Sequence, residues 1–328
     1  MARIALTLAL GMLAAPLAHP ATADVAEAVA VIAPAYETLA DRTAALAEAA
    51  ARDCAPEALR PAYQDAWDAW ARIDFLRLGA VERDGRGLAM AFWPDPKASG
   101  LRAQQAVLAD GAAVADRPAD FAQLSVAMRG LSGLERLLYP SALTGAEADV
   151  CRLTRATAAD LARIAAEIAA DWPAQAALLT APGGTNTTYL TETEARQALF
   201  TQLVTGLTTL ETTRLGRPLG SFDTPRLERA EAAAAGRSLR NVAQSLGGMR
   251  DLALALHSPA PQTQAAFDRA LALAEGLDDP VFAGVADPQG RLKVEILQQA
   301  VTAARAAVEA EIGPALGVSA GFNAQDGD

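Results

Sequence analysis

Residues 25–46, VAEAVAVIAPAYETLADRTAAL, contain the clearest helical pattern in this chain. Their larger apolar side chains recur every three to four residues, so they line up along one face of an α-helix. Alanine-rich segments with the same period fill most of the remaining sequence, and the alternation typical of β-strands is nearly absent. The pattern therefore predicts an all-α protein. The residues on the apolar face are Val25, Val29, Ile32, Tyr36, Leu39 and Leu46.

The same periodicity predicts two packed helical bundles of roughly four helices each. The strongest interruption is TAPGGTNTTYLTE, residues 180–192, where paired glycines and clustered polar residues separate two periodic regions. Leu-Gly turns occur in both regions and suggest that the bundles are pseudo-duplicated. We therefore divide the chain into an N-terminal bundle (24–180), a linker (181–191), a C-terminal bundle (192–313) and a flexible tail (314–328).

Individual helices follow from where the apolar stripes begin and end. The second helix carries Trp67 and Trp70 and is expected to reach Leu78, because Gly79 follows. Further helices are expected at about 119–138, 147–172, 192–215, 226–257, 262–277 and 289–313.

The N-terminus has the pattern of a secretory signal peptide over residues 1–23. Arg3 precedes an apolar run, residues 4–17, and Ala21-Thr22-Ala23 offers a small-residue cleavage site. The run is shorter than the ~20 apolar residues that span a bilayer, which argues against a membrane anchor. No cysteine follows closely for lipid attachment. We expect export to the periplasm and a mature chain that is not membrane-spanning.

The net charge limits the classes of partner, and the two cysteines predict a covalent cross-link. The net charge of −11 argues against nucleic acid and anionic membranes as partners. Cys54 and Cys151 lack CxxC spacing, so in an oxidising compartment they are interpreted first as a structural disulfide. A metal site or a thiol nucleophile is the alternative interpretation.

Glu135, in the stretch MRGLSGLERLLYP (128–140), falls where the helical pattern calls for an apolar side chain. Met128, Leu131 and Leu138 occupy the same helical sector, so the carboxylate is expected to point inward. A buried carboxylate must be neutralised by a proton, an arginine, a bound cation or hydrogen bonds. Ser132 lies about one turn earlier on this face, so its hydroxyl and the carboxylate of Glu135 can address one ligand.

Four other polar residues are candidate site residues. Asp74 continues the inner face of the second helix, unless it pairs with a neighbouring arginine. Glu231 extends the inner stripe of the helix predicted at 226–257, although the helix dipole also favours a carboxylate near that end. Arg237 and Arg240 lie off that stripe, where they can reach the other bundle.

The segment AMAFWPDPK, residues 89–97, is a candidate recognition loop. Trp93 and Asp95 would form a rigid lid or a surface for a partner; simple packing of the loop on the bundle is the alternative. His257 is the only histidine after residue 23, which excludes an HExxH zinc site, a histidine-based triad and multi-histidine iron or copper sites in the mature chain.

Several short motifs make this chain resemble the imelysin-like family over most of its mature length. The G-x-H-x-x-E motif of that family aligns with GLSGLE, residues 130–135, and Ser132 stands at the histidine position. Supporting matches are the Trp-rich second helix, the loop FWPDPK (92–97), the turn RLGRPLG (214–220) and the segment GRSLRN (236–241).

The resemblance implies two helical bundles with a site near the motif, where the bundles meet. It also implies a periplasmic or surface protein of iron-uptake systems, and the family has been labelled as peptidases. In the iron interpretation the histidine and the glutamate of the motif are metal ligands. Glu135 keeps the role of the glutamate, but the hydroxyl of Ser132 cannot replace the imidazole of the histidine as a ligand. An oxygen-only site of Glu135, Asp74 and Glu231 would suit iron as Fe(III), or another hard cation.

Three hypotheses follow for the function. The first is a non-enzymatic binding or accessory component of periplasmic iron uptake that takes a metal or a small ligand around Glu135. The second is an interaction module with a decayed metal site that binds a partner through the FWPDP loop. The third is a metal-dependent peptidase, which the lack of histidine ligands disfavours.

Overall fold

Helix α1 (Val25–Arg52) buries the apolar face identified in the sequence. Ile32, Tyr36 and Leu39 lie inside the molecule, while the charged residues of the helix face outward. The remaining chain is also built from helices, and among residues 25–319 there is no strand beyond an isolated bridge. The all-α prediction is therefore confirmed.

This computed structural model describes residues 25–319. The signal peptide predicted for residues 1–23 lies outside this range, as does most of the predicted tail. Within the described range, no helix combines the length and apolar character needed to cross a membrane.

The N-terminal half, residues 25–180, is assembled around α1. Further helices are α2 (Pro56–Ala71), α3 (Ser99–Ala109), α4 (Gly130–Leu138) and α5 (Glu147–Thr180). Both α1 and α4 pack against α2 and α5. Short helical turns lie at Gly79–Glu82, Arg83–Gly85, Arg86–Met90, Ala113–Asp116, Pro118–Phe121 and Val126–Met128.

A disulfide fastens this half together. It joins Cys54, just before α2, to Cys151 in α5, with the two Cα atoms 5.4 Å apart. The predicted pairing is therefore confirmed, and neither cysteine is left as a free thiol.

The C-terminal half follows the turn formed by residues 181–191. Its helices are α6 (Glu192–Thr209), α7 (Ser238–Leu256), α8 (Pro261–Glu275) and α9 (Pro288–Ala307). Helices α6 and α9 each widen into a π-type turn, Leu210–Leu215 and Val308–Ile312, before a last helical turn, Gly216–Leu219 and Gly313–Leu316. Short turns lie at Leu227–Arg229 and Ala283–Ala286. The chain thus remains helical to Leu316, beyond the predicted end of the bundle at 313.

One hydrophobic core runs through both halves. Helices α1 and α2 pack directly against α7. The contact is close, because a Cβ atom on Gly248 of α7 would stand 1.8 Å from the carbonyl oxygen of Arg72. Residues 181–191 therefore connect two halves that share a core.

The continuous helix predicted at 119–138 is wrong. The chain forms two short turns before α4 begins at Gly130, which has a left-handed φ of +63°. A Cβ atom on Gly130 would lie 2.1 Å from the carbonyl oxygen of Ala89, so close backbone packing sets the start of α4. Helix α4 is consequently only nine residues long.

Two other helix predictions fail for tertiary reasons. Helix α2 ends at Ala71 rather than Leu78, because the carbonyl of Ala71 accepts a hydrogen bond from Ser245 Oγ at 2.7 Å and the chain turns there onto α7. Helix α7 begins at Ser238 rather than near 226, because the preceding alanine-rich run is drawn into contacts with both halves.

Candidate functional site

A cavity of about 710 Å³ opens between the two halves beside Glu135. One wall consists of α4 and residues 92–96, and the other consists of residues 228–234 and Arg217. We call this space the Glu135 cavity. The polar and aromatic residues that line it include Trp67, Trp93, Ser132, Glu135, Arg136 and Arg217.

Ser132 and Glu135 enter the cavity from the same side of α4, as their spacing predicted. The side chain of Ser132 forms no hydrogen bond with any residue between 25 and 319, although the residue is only 7% exposed. Its hydroxyl is therefore available to a bound molecule.

The carboxylate of Glu135 reaches across the cavity to the C-terminal half. Its Oε1 accepts a hydrogen bond from the backbone nitrogen of Ala235 at 3.1 Å. Burial raises the pKa of Glu135, and the nearby carboxylate of Glu231 acts in the same direction. The hydrogen bond from Ala235 and the charge of Arg136 oppose this rise without cancelling it.

The alanine-rich run, residues 230–235, forms the opposite wall as a turn. Ala232 has a left-handed φ of +48°, and the carbonyl of Ala235 accepts a hydrogen bond from Gln64 Nε2 at 3.0 Å. The sequence pattern predicted a helix for this wall, because alanine favours helices intrinsically. Gly236, with a φ of +69°, was the local signal for a break.

A second cavity of about 360 Å³ adjoins the first and shares Trp93, Pro94 and Glu231 with it. Here Arg214 from the widened end of α6 lies between two buried carboxylates. Its Nη2 binds Asp74 Oδ2, and its Nε lies 2.8 Å from Glu231 Oε2. Burial alone would lower the pKa of Arg214, but Asp74 and Glu231 together raise it far above its usual value.

One hydroxyl side chain and one amide side chain complete the cluster of Arg214, Asp74 and Glu231. Ser245 Oγ accepts a hydrogen bond from Arg214 Nη1 at 2.5 Å, and Asn241 Nδ2 donates to Glu231 Oε2 at 2.9 Å. Asp74 and Glu231 are therefore brought together, as the sequence analysis proposed, but around a guanidinium. Asp74 lies in the turn after α2, not on the helix itself.

These residues do not fit iron or another hard cation. Asp74 and Glu231 are both bound to the guanidinium of Arg214, which leaves Glu135 with a serine hydroxyl beside it. Across residues 25–319, no three histidine, cysteine, aspartate or glutamate side chains are grouped so that they could hold a metal ion. Hard cations require several convergent oxygen ligands.

Arg237, just before α7, and Arg240, in its first turn, both reach across to α2 of the other half. Neither side chain lines the Glu135 cavity. Arg237 Nη2 donates to Asp68 Oδ1 at 2.9 Å, and Arg240 Nε donates to the same oxygen at 2.8 Å. Arg237 is fully buried and lies over the ring of Trp67. Both arginines hold the two halves together.

Residues 91–95 of the recognition loop are half-buried and line the two cavities. Asp95 caps α3, because its carboxylate accepts hydrogen bonds from the backbone nitrogens of Ser99 and Gly100 at 2.9 and 2.8 Å. Trp93 lines both cavities and lies under the guanidinium of Arg217, 5.8 Å from the ring centre. The structure thus assigns Asp95 to positioning the loop and Trp93 to the cavity wall.

Arg217 is a cavity residue that sequence analysis did not single out. It lies in the last helical turn after α6, Gly216–Leu219. Its Nε is buried without a hydrogen-bond partner, and its guanidinium forms no ion pair or hydrogen bond with residues 25–319. The turn RLGRPLG contains this arginine, but only the folded chain shows that it faces the cavity.

Comparison with known proteins supports a single family. The family model described as Imelysin (Peptidase_M75) matches residues 32–308. An imelysin-like protein from Psychrobacter arcticum has a solved structure that is 20% identical in sequence, with a TM-score of 0.73; the match covers 93% of this chain and 100% of that one. No match was found among curated protein sequences.

A second solved structure has the same fold at lower identity. It is from Parabacteroides distasonis and is provisionally described as an iron-regulated protein A precursor. The identity is 11% and the TM-score 0.72, and the match covers 90% of this chain and 97% of that one. At these identities the two solved structures establish the all-α fold, and the family model establishes membership of the family.

Proposed function

The chain belongs to the imelysin family, and from that premise we propose that it is an exported, non-enzymatic binding or accessory protein of iron uptake. Its ligand would lie in the Glu135 cavity. The observation that carries this proposal is the cavity itself, which lies between the halves and contains the motif residues Ser132 and Glu135. Its volume falls within the range of about 300–1,000 Å³ that is common for small-molecule sites.

Export to the periplasm is supported by two further features. The disulfide between Cys54 and Cys151 suits an oxidising compartment. The sequence pattern of residues 1–23 is that of a signal peptide. The role in iron uptake draws on the family resemblance and on the structural relative that is described as an iron-regulated precursor.

The non-enzymatic part of the proposal rests on the residues beside Ser132. A serine nucleophile needs a general base within hydrogen-bond reach. Within residues 25–319 the Ser132 side chain has no such partner, and His257 lies at the end of α7 outside the cavity lining. The alternative, an interaction module built on the FWPDP loop, has less support because Trp93 and Asp95 are engaged inside the molecule.

A genetic experiment tests the proposal. The gene is deleted in the source bacterium, and growth is followed in medium with an iron chelator after complementation with wild type or with Ala234→Trp. Ala234 is exposed and lines the cavity, so an indole there should fill the space without disturbing the core. Ala265→Trp, at an exposed site on α8, is the matched control.

Wild type and Ala265→Trp should restore growth under iron limitation, and Ala234→Trp should not. Full rescue by Ala234→Trp would show that the Glu135 cavity is not the site of the function in iron uptake. If the deletion grows normally when iron is scarce, the role in iron uptake is wrong.

A further inference from the structure

We propose that the Glu135 cavity binds a small hydroxycarboxylate, an organic anion that also carries a hydroxyl group, rather than a bare metal ion. This inference rests on the proposed function, because it names the chemical class of the ligand for that cavity. Three observations within residues 25–319 carry it: the guanidinium of Arg217 has no ion pair, the hydroxyl of Ser132 has no hydrogen-bond partner, and the cavity is larger than a single ion needs.

Apart from Glu135, the carboxylates that line the cavity already have side-chain partners. Glu231 is bound by Arg214 and Asn241, and Asp95 accepts hydrogen bonds from Ser99. Glu228 lies 3.8 Å from Arg226 and 3.9 Å from Arg229. A metal ion entering the cavity would have to compete with these contacts for its ligands. The negative charge of the lining is therefore largely committed to the protein.

Arg217 is in the opposite situation. Its guanidinium lies over Trp93, has a buried Nε, and forms no ion pair or hydrogen bond within residues 25–319. A partly desolvated cation without a counter-ion is costly, and a guanidinium matches a carboxylate through two parallel hydrogen bonds. Arg217 is thus a cation of the lining that no carboxylate of residues 25–319 pairs, and the ligand group complementary to it is a carboxylate.

Ser132 and Glu135 provide the other half of the recognition. Among residues 25–319 the hydroxyl of Ser132 has no hydrogen-bond partner, and the carboxylate of Glu135 can accept a hydrogen bond from a ligand. The charge of Arg136 already acts on Glu135, so the site needs a neutral donor more than a second cation. A ligand hydroxyl group meets this requirement and can bind both side chains.

The shape of the cavity agrees with an organic ligand. Its volume of about 710 Å³ exceeds the needs of a single ion, and Phe92, Trp93 and Trp67 supply aromatic surface for carbon atoms. Small-molecule sites typically combine apolar walls with a few polar groups that fix orientation.

Calorimetric titration of the mature protein from Asp24 tests the inference. The probes are citrate, tricarballylate, which is citrate without its hydroxyl group, and Fe(II) alone under anaerobic conditions. Wild type should bind citrate at one site and tricarballylate several-fold more weakly. Arg217→Gln should weaken citrate binding by about tenfold or more, as expected for the loss of a charge-assisted contact.

Arg269→Gln, at an exposed site on α8, is the control for Arg217→Gln and should bind citrate like wild type. Ser132→Ala should weaken citrate binding but leave tricarballylate binding unchanged, and this pair tests the inference even if Arg217→Gln does not fold. Circular dichroism and melting temperature verify the fold of each variant.

The outcomes separate the two proposals. If citrate does not bind, or binds Arg217→Gln as tightly as wild type, the inference is overturned. If Fe(II) alone binds and Glu135→Gln abolishes that binding, the ligand is a metal; the inference falls, but the proposed function stands. Full rescue of growth by Ala234→Trp would overturn both.

Discussion

Arg237 of the C-terminal half donates from Nη2 to Asp68 Oδ1 of α2 at 2.9 Å, and it does so with no exposed surface. The same guanidinium donates to the carbonyl oxygen of Gln64 at 3.1 Å and to Asn241 Oδ1 at 2.8 Å. Burial lowers the pKa of Arg237, while Asp68 opposes the shift. This one side chain joins the two halves through both charge and hydrogen bonds.

Arg237→Met should destabilise the protein by about 3–5 kcal/mol, because it removes the buried ion pair with Asp68 and the hydrogen bonds to Gln64 and Asn241. Arg240→Met removes the other arginine on Asp68, but that side chain is 49% exposed. It should cost about 0–1 kcal/mol, as surface ion pairs do. Denaturant unfolding monitored by circular dichroism gives both values. Equal losses would mean that burial is not what makes Arg237 important.

Arg214→Met should be strongly destabilising at neutral pH, by about 3–5 kcal/mol, since it leaves the buried carboxylates of Asp74 and Glu231 facing each other without a cation. Acidification should recover part of the loss by protonating one of the two. Unfolding free energies measured for wild type and variant at neutral and acidic pH test this. A deficit that stays constant with pH would exclude repulsion between the carboxylates as the cause.

Glu135→Gln should become more stable relative to wild type as the pH rises. The folded pKa of Glu135 is raised by burial above its ordinary value of 4.5. The stabilisation linked to this group is therefore complete below the unfolded pKa and is lost as the pH rises through the folded pKa. Glutamine carries no charge and avoids the loss. Denaturant unfolding at several pH values between about 4 and 8 measures the difference.

Asp95→Asn should show the opposite dependence. Burial alone would raise the pKa of Asp95, but hydrogen bonds from Ser99 and Gly100 hold it below its usual value. This carboxylate therefore stabilises the fold above its unfolded pKa, and the contribution is lost as the pH falls through its folded pKa. If the two variants gave curves with the same slope relative to wild type, one of the two assignments would have to be abandoned.

Gly130→Ala should be far more destabilising than Gly236→Ala. Both glycines have left-handed backbones, with φ of +63° and +69°. A Cβ on Gly236 meets open space, so that change should cost only the strain of about 1–2 kcal/mol. A Cβ on Gly130 would collide with the carbonyl oxygens of Ala89 and Met90, at 2.1 and 2.4 Å. Melting temperatures of the two variants decide the point; similar values would show that the backbone around α4 yields easily.

Much of the architecture could be predicted because it depends on local pattern. The buried face of α1 follows from the spacing of Ile32, Tyr36 and Leu39, since helical geometry places such residues on one side. The disulfide could be predicted because the sequence has two cysteines without CxxC spacing and a pattern that predicts export to an oxidising compartment. The inward position of Glu135 also followed from spacing, although its helix proved much shorter than predicted.

The partners of the site residues could not be predicted in the same way. Asp74 and Glu231 were proposed as metal ligands, yet Arg214 lies between them because the π-type turn at Leu210–Leu215 rotates it inward. That turn involves a change of helical register that the apolar stripe of α6 does not reveal. The alanine-rich wall at 230–235 likewise depends on Gln64 and Glu135 of the other half.

The sequence by itself determined the helical class, the buried faces of the long helices, the cysteine pair and the family motif, because each depends on residue spacing or composition within a short window. Only the tertiary structure decided which charges meet. Arg214 is neutralised between two carboxylates, whereas Arg217, three residues later, faces the Glu135 cavity without a counter-ion in the described chain. Local pattern treats these arginines alike, and they differ because Asp74, 140 positions away in the sequence, binds Arg214, whereas no carboxylate of residues 25–319 pairs with Arg217.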